Sequence, residues 1–187
     1  MKIVLGSGSA GRKFLMEEWG YDFSVLTADI DEKTIRHDDP YQLVLDIGRA
    51  KAEKILPLIK EPSILITADT IVLFNGQIRE KPVSFEQAMD FMRSYCNNKA
   101  EVVTGVVLLN TATGRREEKV VSGAVAFGDM PEGVMEAHVK SYGIDGAGAM
   151  KLEDQKLAPY ITAVNSSMDV LIGLPGNVIK KFIKENL

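Results

Sequence analysis

The run Ile64-Leu65-Ile66-Thr67-Ala68-Asp69-Thr70-Ile71-Val72-Leu73-Phe74 sets the tightest limit on what this chain can fold into. It is rich in β-branched apolar residues and lies between Pro62-Ser63 and Asn75-Gly76. That pattern reads as a buried strand leading into a tight hairpin turn. One carboxylate, Asp69, sits in the middle of it. A carboxylate inside a buried strand costs free energy unless a cation or hydrogen bonds compensate it. Position alone leaves two readings open: a structural Asp satisfied by backbone N–H groups, or a functional carboxylate with counter-cations nearby.

The return strand carries Gln77-Ile78-Arg79-Glu80-Lys81-Pro82. A strict two-residue turn pairs Thr70 with Lys81 and puts Lys81 on the face opposite Asp69. A three-residue loop or a bulge pairs Ile71 with Lys81 and brings Lys81 diagonal to Asp69 on one face. Shared chemistry between Asp69 and Lys81 therefore predicts an irregular register, and a strict one counts against it. Pro82 ends the strand, as at a sheet edge.

Upstream, Lys2-Ile3-Val4-Leu5 is a short strand, followed by Gly6-Ser7-Gly8-Ser9-Ala10-Gly11-Arg12-Lys13 and a helix with Phe14, Leu15 and Trp19 on one side, ending near Gly20. A glycine- and serine-rich turn into a helix leaves N–H groups free for an anion, and Arg12 and Lys13 add positive charge beside it. Gly6-x-Gly8-x-x-Gly11 spells the dinucleotide-binding pattern, with Asp29 and Asp31 near the place of a ribose-binding carboxylate. The basic first helical turn and the downstream hairpins argue against that reading. The same residues nearly spell a Walker A loop, but Arg12-Lys13-Phe14 stands where Lys-Ser/Thr is required. A plain glycine-rich connection is the remaining alternative. Phe23 to Leu26 reads as a strand running into Thr27-Ala28-Asp29-Ile30-Asp31-Glu32-Lys33, whose carboxylates either hold a hard divalent cation or are simply solvated.

Asp39-Pro40 opens a helix expected to reach about Ile59, with Asp39 or Asp38 as N-cap. Its apolar stripe is Leu43, Val44, Ile47, Ile55 and Leu58. Lys51 falls on that stripe, four residues after Ile47 and four before Ile55. It either snorkels to solvent or points inward to meet an anion. Beyond the hairpin, Ser84 caps a helix of Phe85, Ala88, Met89, Met92 and Tyr95. Strands follow at Glu101 to Asn110 and Glu117 to Phe127, around a turn at Thr111-Ala112-Thr113-Gly114. Thr104-Gly105 marks a close backbone approach. Pro131 starts a helix with Val134, Met135, His138 and Val139 on one side, where His138 reads as a surface or packing residue. Gly143 to Glu153 is a small-residue stretch open to close approach by a ligand or strand. Ile161 to Val164 and Met168 to Ile172 read as strands, and the last helix has the stripe Val178, Phe182 and Ile183.

Composition narrows the classes. A chain of 187 residues fits one domain, or two small lobes around one cleft. Its net charge of −4 argues against a broad nucleic-acid-binding surface. Cys96 is the single cysteine, so no internal disulfide forms and a reducing cytoplasm fits; on its helix it reads as a buried thiol. No apolar run is long enough to span a bilayer, and Met1-Lys2 leads straight into a strand with no secretory segment. With two His and no suitable spacing, a zinc site is not expected, nor does any nucleophile motif support a Ser-His-Asp triad.

An anion-binding turn, an acidic loop, an inward Lys and a buried Asp beside a further Lys together suit a metal-bound polyphosphate. In order along nearly the whole chain, these residues resemble the Maf family of nucleoside triphosphate pyrophosphatases. The family's opening motif, leucine-alanine-serine-x-serine-proline-arginine-arginine, is similar to Leu5-Gly6-Ser7-Gly8-Ser9-Ala10-Gly11-Arg12. Its further motifs match Asp31-Glu32, Lys51-Ala52, Ala68-Asp69-Thr70, Lys81-Pro82, Thr104-Gly105-Val106, Ala147-Gly148 and Gly173-Leu174-Pro175.

The resemblance implies one Maf-like domain over 1–187, an elongated α/β fold with a mixed sheet flanked by helices, and two lobes around a central cleft. It implies hydrolysis between the α- and β-phosphates, with Mg²⁺ or Mn²⁺ as cofactor. By motif, Asp69 is the proton acceptor, Glu32 and Asp69 lie at the metal, and Ser7, Ser9, Arg12, Lys51 and Lys81 bind substrate. It also implies a cytoplasmic protein with a nucleoside triphosphate as its partner, a tie to septum formation, and it allows a homodimer. Three positions bear on base preference. Gly11 and Ala10 replace the first Arg and the Pro of the opening motif. Thr70 agrees with the dTTP/UTP-acting subfamily, which however has Gln where Glu153 stands. Lys151-x-Glu153 is similar to the 7-methyl-GTP-acting subfamily, which has Gln in place of Thr70. A nucleotide-binding regulator of cell division without catalysis is the alternative that the missing Arg at Gly11 keeps open.

Overall fold

The computed structural model describes residues 1–142 and 144–187. Among these residues seven strands form one mixed sheet: β1 (Lys2–Leu5), β2 (Ser24–Val25), β3 (Ser63–Phe74), β4 (Gln77–Arg79), β5 (Lys99–Asn110), β6 (Arg116–Phe127) and β7 (Ile161–Val164). Their order is β2-β1-β3-β5-β6-β7, with β4 paired to β3. Among the described residues six α-helices accompany them: α1 (Ala10–Glu18), α2 (Pro40–Ile55), α3 (Phe85–Tyr95), α4 (Glu132–Tyr142), α5 (Met168–Ile172) and α6 (Gly176–Asn186). Among the described residues no helix is long and apolar enough to cross a membrane.

The chain divides into two compact units. The first takes Met1–Asp69, Thr104–Val121 and Gly173–Leu187; the second takes Thr70–Val103 and Ser122–Ile172. In the first, β1 runs parallel to both β2 and β3, with Val4 opposite Ser24 and Leu65. Parallel neighbours need a crossover connection, and α2 lies in the one between β1 and β3. Val4, Ala52, Ile55, Leu65 and Val107 pack together there. Asp39 caps α2 by accepting the Tyr41 N–H at 2.8 Å, and Pro40 takes the first helical position, where no N–H is missed. The helix ends at Ile55 rather than near Ile59. Pro57 has no N–H to donate to the Glu53 carbonyl, so the α-helix gives way to a 3₁₀ turn over Leu56–Leu58, and Leu58 is exposed. The turn between β5 and β6 is held by Asn110 Oδ1, which accepts the N–H groups of Ala112 and Thr113, with Gly114 at φ +75°.

In the second unit a core of Val72, Phe74, Met89, Met92, Tyr95 and Phe127 gathers β3, α3 and β6. Ser84 caps α3 through the Gln87 N–H, and β7 pairs antiparallel with β6. Three further expectations need correction here or in the first unit. Met168–Ile172 is a short helix, α5, rather than a strand; a stretch of five residues carries too little periodicity to separate the two. The strand expected over Phe23 to Leu26 shrinks to Ser24–Val25. On α6 the buried position is Ile179 rather than Val178. His138 is a packing residue rather than a surface one, buried beside Tyr142 and against polar partners as well.

Candidate active site

Two glycines set where Lys51 goes. A β-carbon at Gly105 of β5 would lie 2.7 Å from the carbonyl carbon and oxygen of Val44, so only glycine lets α2 come this close to the sheet. Gly48, one turn on, faces Val107, and its carbonyl accepts the Thr67 hydroxyl at 2.8 Å. Thr67 and Asp69, two residues apart, lie on the same face of β3. Three residues after Gly48 on the helix and two after Thr67 on the strand, Lys51 meets Asp69. Lys51 Nζ lies 2.7 Å from Asp69 Oδ1 and 3.4 Å from the Ala68 carbonyl. The same ammonium lies 3.0 Å from Glu32 Oε1. The Asp69 and Lys51 side chains are only 11% and 12% exposed, against 49% for Glu32, so the pair is nearly dry and open to solvent on the Glu32 side.

The glycine-serine turn completes the cluster. A β-carbon at Gly6 would fall 2.5 Å from Thr67 Cγ2, and the Gly6 N–H donates to the Ile66 carbonyl at 2.7 Å, so the turn is pressed on β3. Ser9 caps α1 by accepting the Arg12 N–H. Arg12 is buried; its Nε donates to the Gly173 carbonyl at 2.9 Å and its NH1 to Ser7 Oγ at 3.0 Å and the Ala68 carbonyl at 2.8 Å. Burial lowers the pKa of this guanidinium below the usual arginine value, against the pull of the Asp69 and Glu32 charges. Two cations and two carboxylates thus sit in one cluster within the first unit, with Arg12 bracing the turn against β3 and the Gly173 segment.

The other singled-out residues are placed differently. The hairpin turn is strict: Asn75 and Gly76 take φ +52° and +75°, and Val72, Leu73 and Phe74 pair with Arg79, Ile78 and Gln77. The irregularity expected of the register is absent, and β4 stops at Arg79, so Lys81 lies beyond the strand and on neither face. Lys81 is exposed, while Thr70 and Glu153 are partly buried; all three belong to the second unit. Gly11 is buried in the first turn of α1. Gly143, at the head of the small-residue stretch, lies outside the described residues. Cys96 is half-buried, its thiol 3.9 Å from Met135 Sδ. Sequence reasoning missed the part of His138, which pairs with Asp154; a polar residue on the buried side of a helix was the available signal.

For a metal, Asp69 and Glu32 are the donors at hand, since both reach one point now held by the Lys51 ammonium. Two hard oxygen ligands suit Mg²⁺ or Mn²⁺, which fill the rest of their shell with water and phosphate oxygens. Among the described residues no group of three or more His, Cys, Asp or Glu gathers as a closed metal cage.

A family model described as Maf-like protein matches residues 2–186. The chain belongs to the Maf family. It is similar to a 7-methyl-GTP pyrophosphatase of Dictyostelium discoideum, 32% identical over 98% of this chain and 96% of the relative. It is also similar to a dTTP/UTP pyrophosphatase of Vibrio vulnificus, 30% identical over 93% of this chain and 92% of that one. Among solved structures, a nucleoside-triphosphatase / dITP/XTP pyrophosphatase of Mycobacterium abscessus covers 70% of this chain and 76% of its own, at 10% identity and a TM-score of 0.37, a likeness too slight to bear on function. The Maf motifs Asp31-Glu32, Lys51-Ala52 and Ala68-Asp69 are the ones the fold draws together around Lys51 Nζ.

Proposed function

We propose that this Maf chain hydrolyses a nucleoside triphosphate to the monophosphate and pyrophosphate, with water attacking between the α- and β-phosphates and Asp69 accepting its proton. The coarser statement rests on the family and its named relatives: the chain is a hydrolase acting on acid anhydrides, and nucleoside triphosphates are its class of substrate. The observation that carries the finer reading is the Lys51 ammonium shared between Asp69 and Glu32. A nearly buried carboxylate next to a fixed cation is placed for proton transfer beside a polyanion. Lys51 supplies the compensating charge. Arg12 contributes charge from behind the turn, and Ser7, Ser9 and Lys81 are assigned to phosphate by motif. Asp69 and Glu32 would hold a divalent cation, which when bound neutralises charge on the phosphate oxygens.

Base preference is assigned to Gly11, Thr70 and Glu153. A carboxylate at Glu153 can accept hydrogen bonds from the N1–H and amino group of a guanine base, which supports a 7-methyl-GTP-like substrate, while Thr70 supports a dTTP/UTP-like one.

The test is a panel of pyrimidine, methylated and oxidised nucleoside triphosphates with Mg²⁺ or Mn²⁺, scored for pyrophosphate release. Turnover of at least one is expected, and Asp69→Asn is expected to lower kcat about a hundredfold or more while the chain stays folded. No release from any nucleotide would sink the reading. Binding without release would favour the nucleotide-binding regulator instead.

A further inference from the structure

His138 of α4 bridges both ends of a short segment. Its Nδ1 lies 2.7 Å from Asp154 Oδ2 and its Nε2 lies 3.0 Å from the Ala149 carbonyl oxygen. His138 and Asp154 are 1% and 2% exposed. Both ring nitrogens thus have a polar partner. The segment between them contains Glu153. Ala149 sits at φ +60°, a left-handed conformation that a residue with a β-carbon adopts only when its surroundings hold it there.

The same bend is tied on its other side. The Gly148 N–H donates to the Glu80 carbonyl at 2.9 Å, and the Tyr95 hydroxyl donates to the Gly148 carbonyl at 2.9 Å. A β-carbon at Gly148 would lie 2.7 Å from that hydroxyl, so the approach is close enough to need glycine. Glu80 precedes Lys81, and Asp154 follows Glu153. One connected set of contacts, Glu80–Gly148–Ala149–His138–Asp154, therefore reaches the chain neighbours of Lys81 and Glu153, two of the three such residues in the second unit.

We propose that His138 is a positioning residue for base recognition: through Ala149 and Asp154 it holds the loop that carries Glu153, and through Gly148 it steadies the Glu80-Lys81 segment. The inference rests on the nucleotide reading of Glu153 and Lys81 given above. A His–Asp pair serving only stability would lower the melting temperature and leave substrate discrimination alone.

The experiment uses the full chain with His138→Leu, which removes both hydrogen bonds, His138→Gln, which keeps one donor, and Asp154→Asn as the second route should His138→Leu not fold. Two quantities are measured: hydrogen exchange along the chain, and kcat and KM across the nucleotide panel. Expected are exchange at least tenfold faster at Ala147–Glu153 and at Lys81 with β1 unchanged, and a fall of fivefold or more in the kcat/KM ratio between the preferred and the next-best nucleotide. The fall should come mainly through KM, and His138→Gln should recover part of it. Exchange that is unchanged, or faster throughout, overturns the proposal, as does a loosened loop with unchanged discrimination. If the chain binds nucleotides without hydrolysing them, the enzymatic reading fails alone, and the same ratio is read from dissociation constants. A chain that binds none of the panel overturns both.

Discussion

Lys51 carries two carboxylates on one ammonium, and its removal should be felt in stability as well as activity. Asp69 would be left nearly buried without its cation, while Glu32 can turn to water. Lys51→Met is expected to lower unfolding free energy by about 1–3 kcal/mol, the usual range for stranding a buried polar or charged partner after allowance for the solvent-open side. Urea denaturation checks this: a midpoint equal to that of the unmodified chain would mean that Asp69 is satisfied without Lys51. Lys51 was legible at this scale because a Lys at the centre of an apolar stripe has few ways to reach solvent. Arg12 was legible as a charge beside the turn but not as a brace, because its partners, the Gly173 and Ala68 carbonyls, lie 161 and 56 residues away along the chain.

The position of Lys51 depends on how closely α2 lies on the sheet. Gly105→Ala puts a methyl 2.7 Å from the Val44 main chain, which cannot swing aside as a flexible side chain could. The helix must shift, at a cost of about 1–3 kcal/mol, and Lys51 shifts with it. Pyrophosphate release should therefore fall more for Gly105→Ala than for an equally destabilising change elsewhere; equal loss of stability with unchanged kcat would separate the glycine from the site. At this scale the close approach at Gly105 was readable from glycine in a strand, whereas its partner was not. Met168–Ile172 defeated pattern reading because five residues are too few to show a period of either element. The hairpin turned on Asn75-Gly76 as the dipeptide predicts, yet where β4 stops depends on the path Glu80 takes to meet Gly148.

Acid sensitivity belongs to the whole molecule. Burial would raise the Asp154 carboxyl, but hydrogen bonds from His138 and the Lys156 N–H outweigh it and hold its pKa below the ordinary 3.8. The hydrogen bond from Arg49 holds Glu118 below its ordinary 4.5, with burial opposing and Arg116 adding. A carboxyl whose folded pKa is depressed contributes stability that is complete above the ordinary value and is lost as pH falls through the folded one. The melting temperature should thus begin to fall below about pH 4–5, and Asp154→Asn with Glu118→Gln should make that fall shallower. An identical acid slope in the double variant would mean that other groups control it.

The sequence by itself determined most of the strands and helices, the hairpin, the caps at Asp39 and Ser84, and the ordered motifs that mark the Maf family. Those depend on local backbone preferences and on residue types, which are written along the chain. Only the tertiary structure decided that Lys51, Asp69 and Glu32 meet at one nitrogen, that Arg12 braces from behind, and that His138 holds Ala149 and Asp154. Each of those contacts joins segments distant in sequence, and their distances depend on packing: on glycines that let a helix lie against a strand, and on buried donors that must find acceptors wherever the fold brings them.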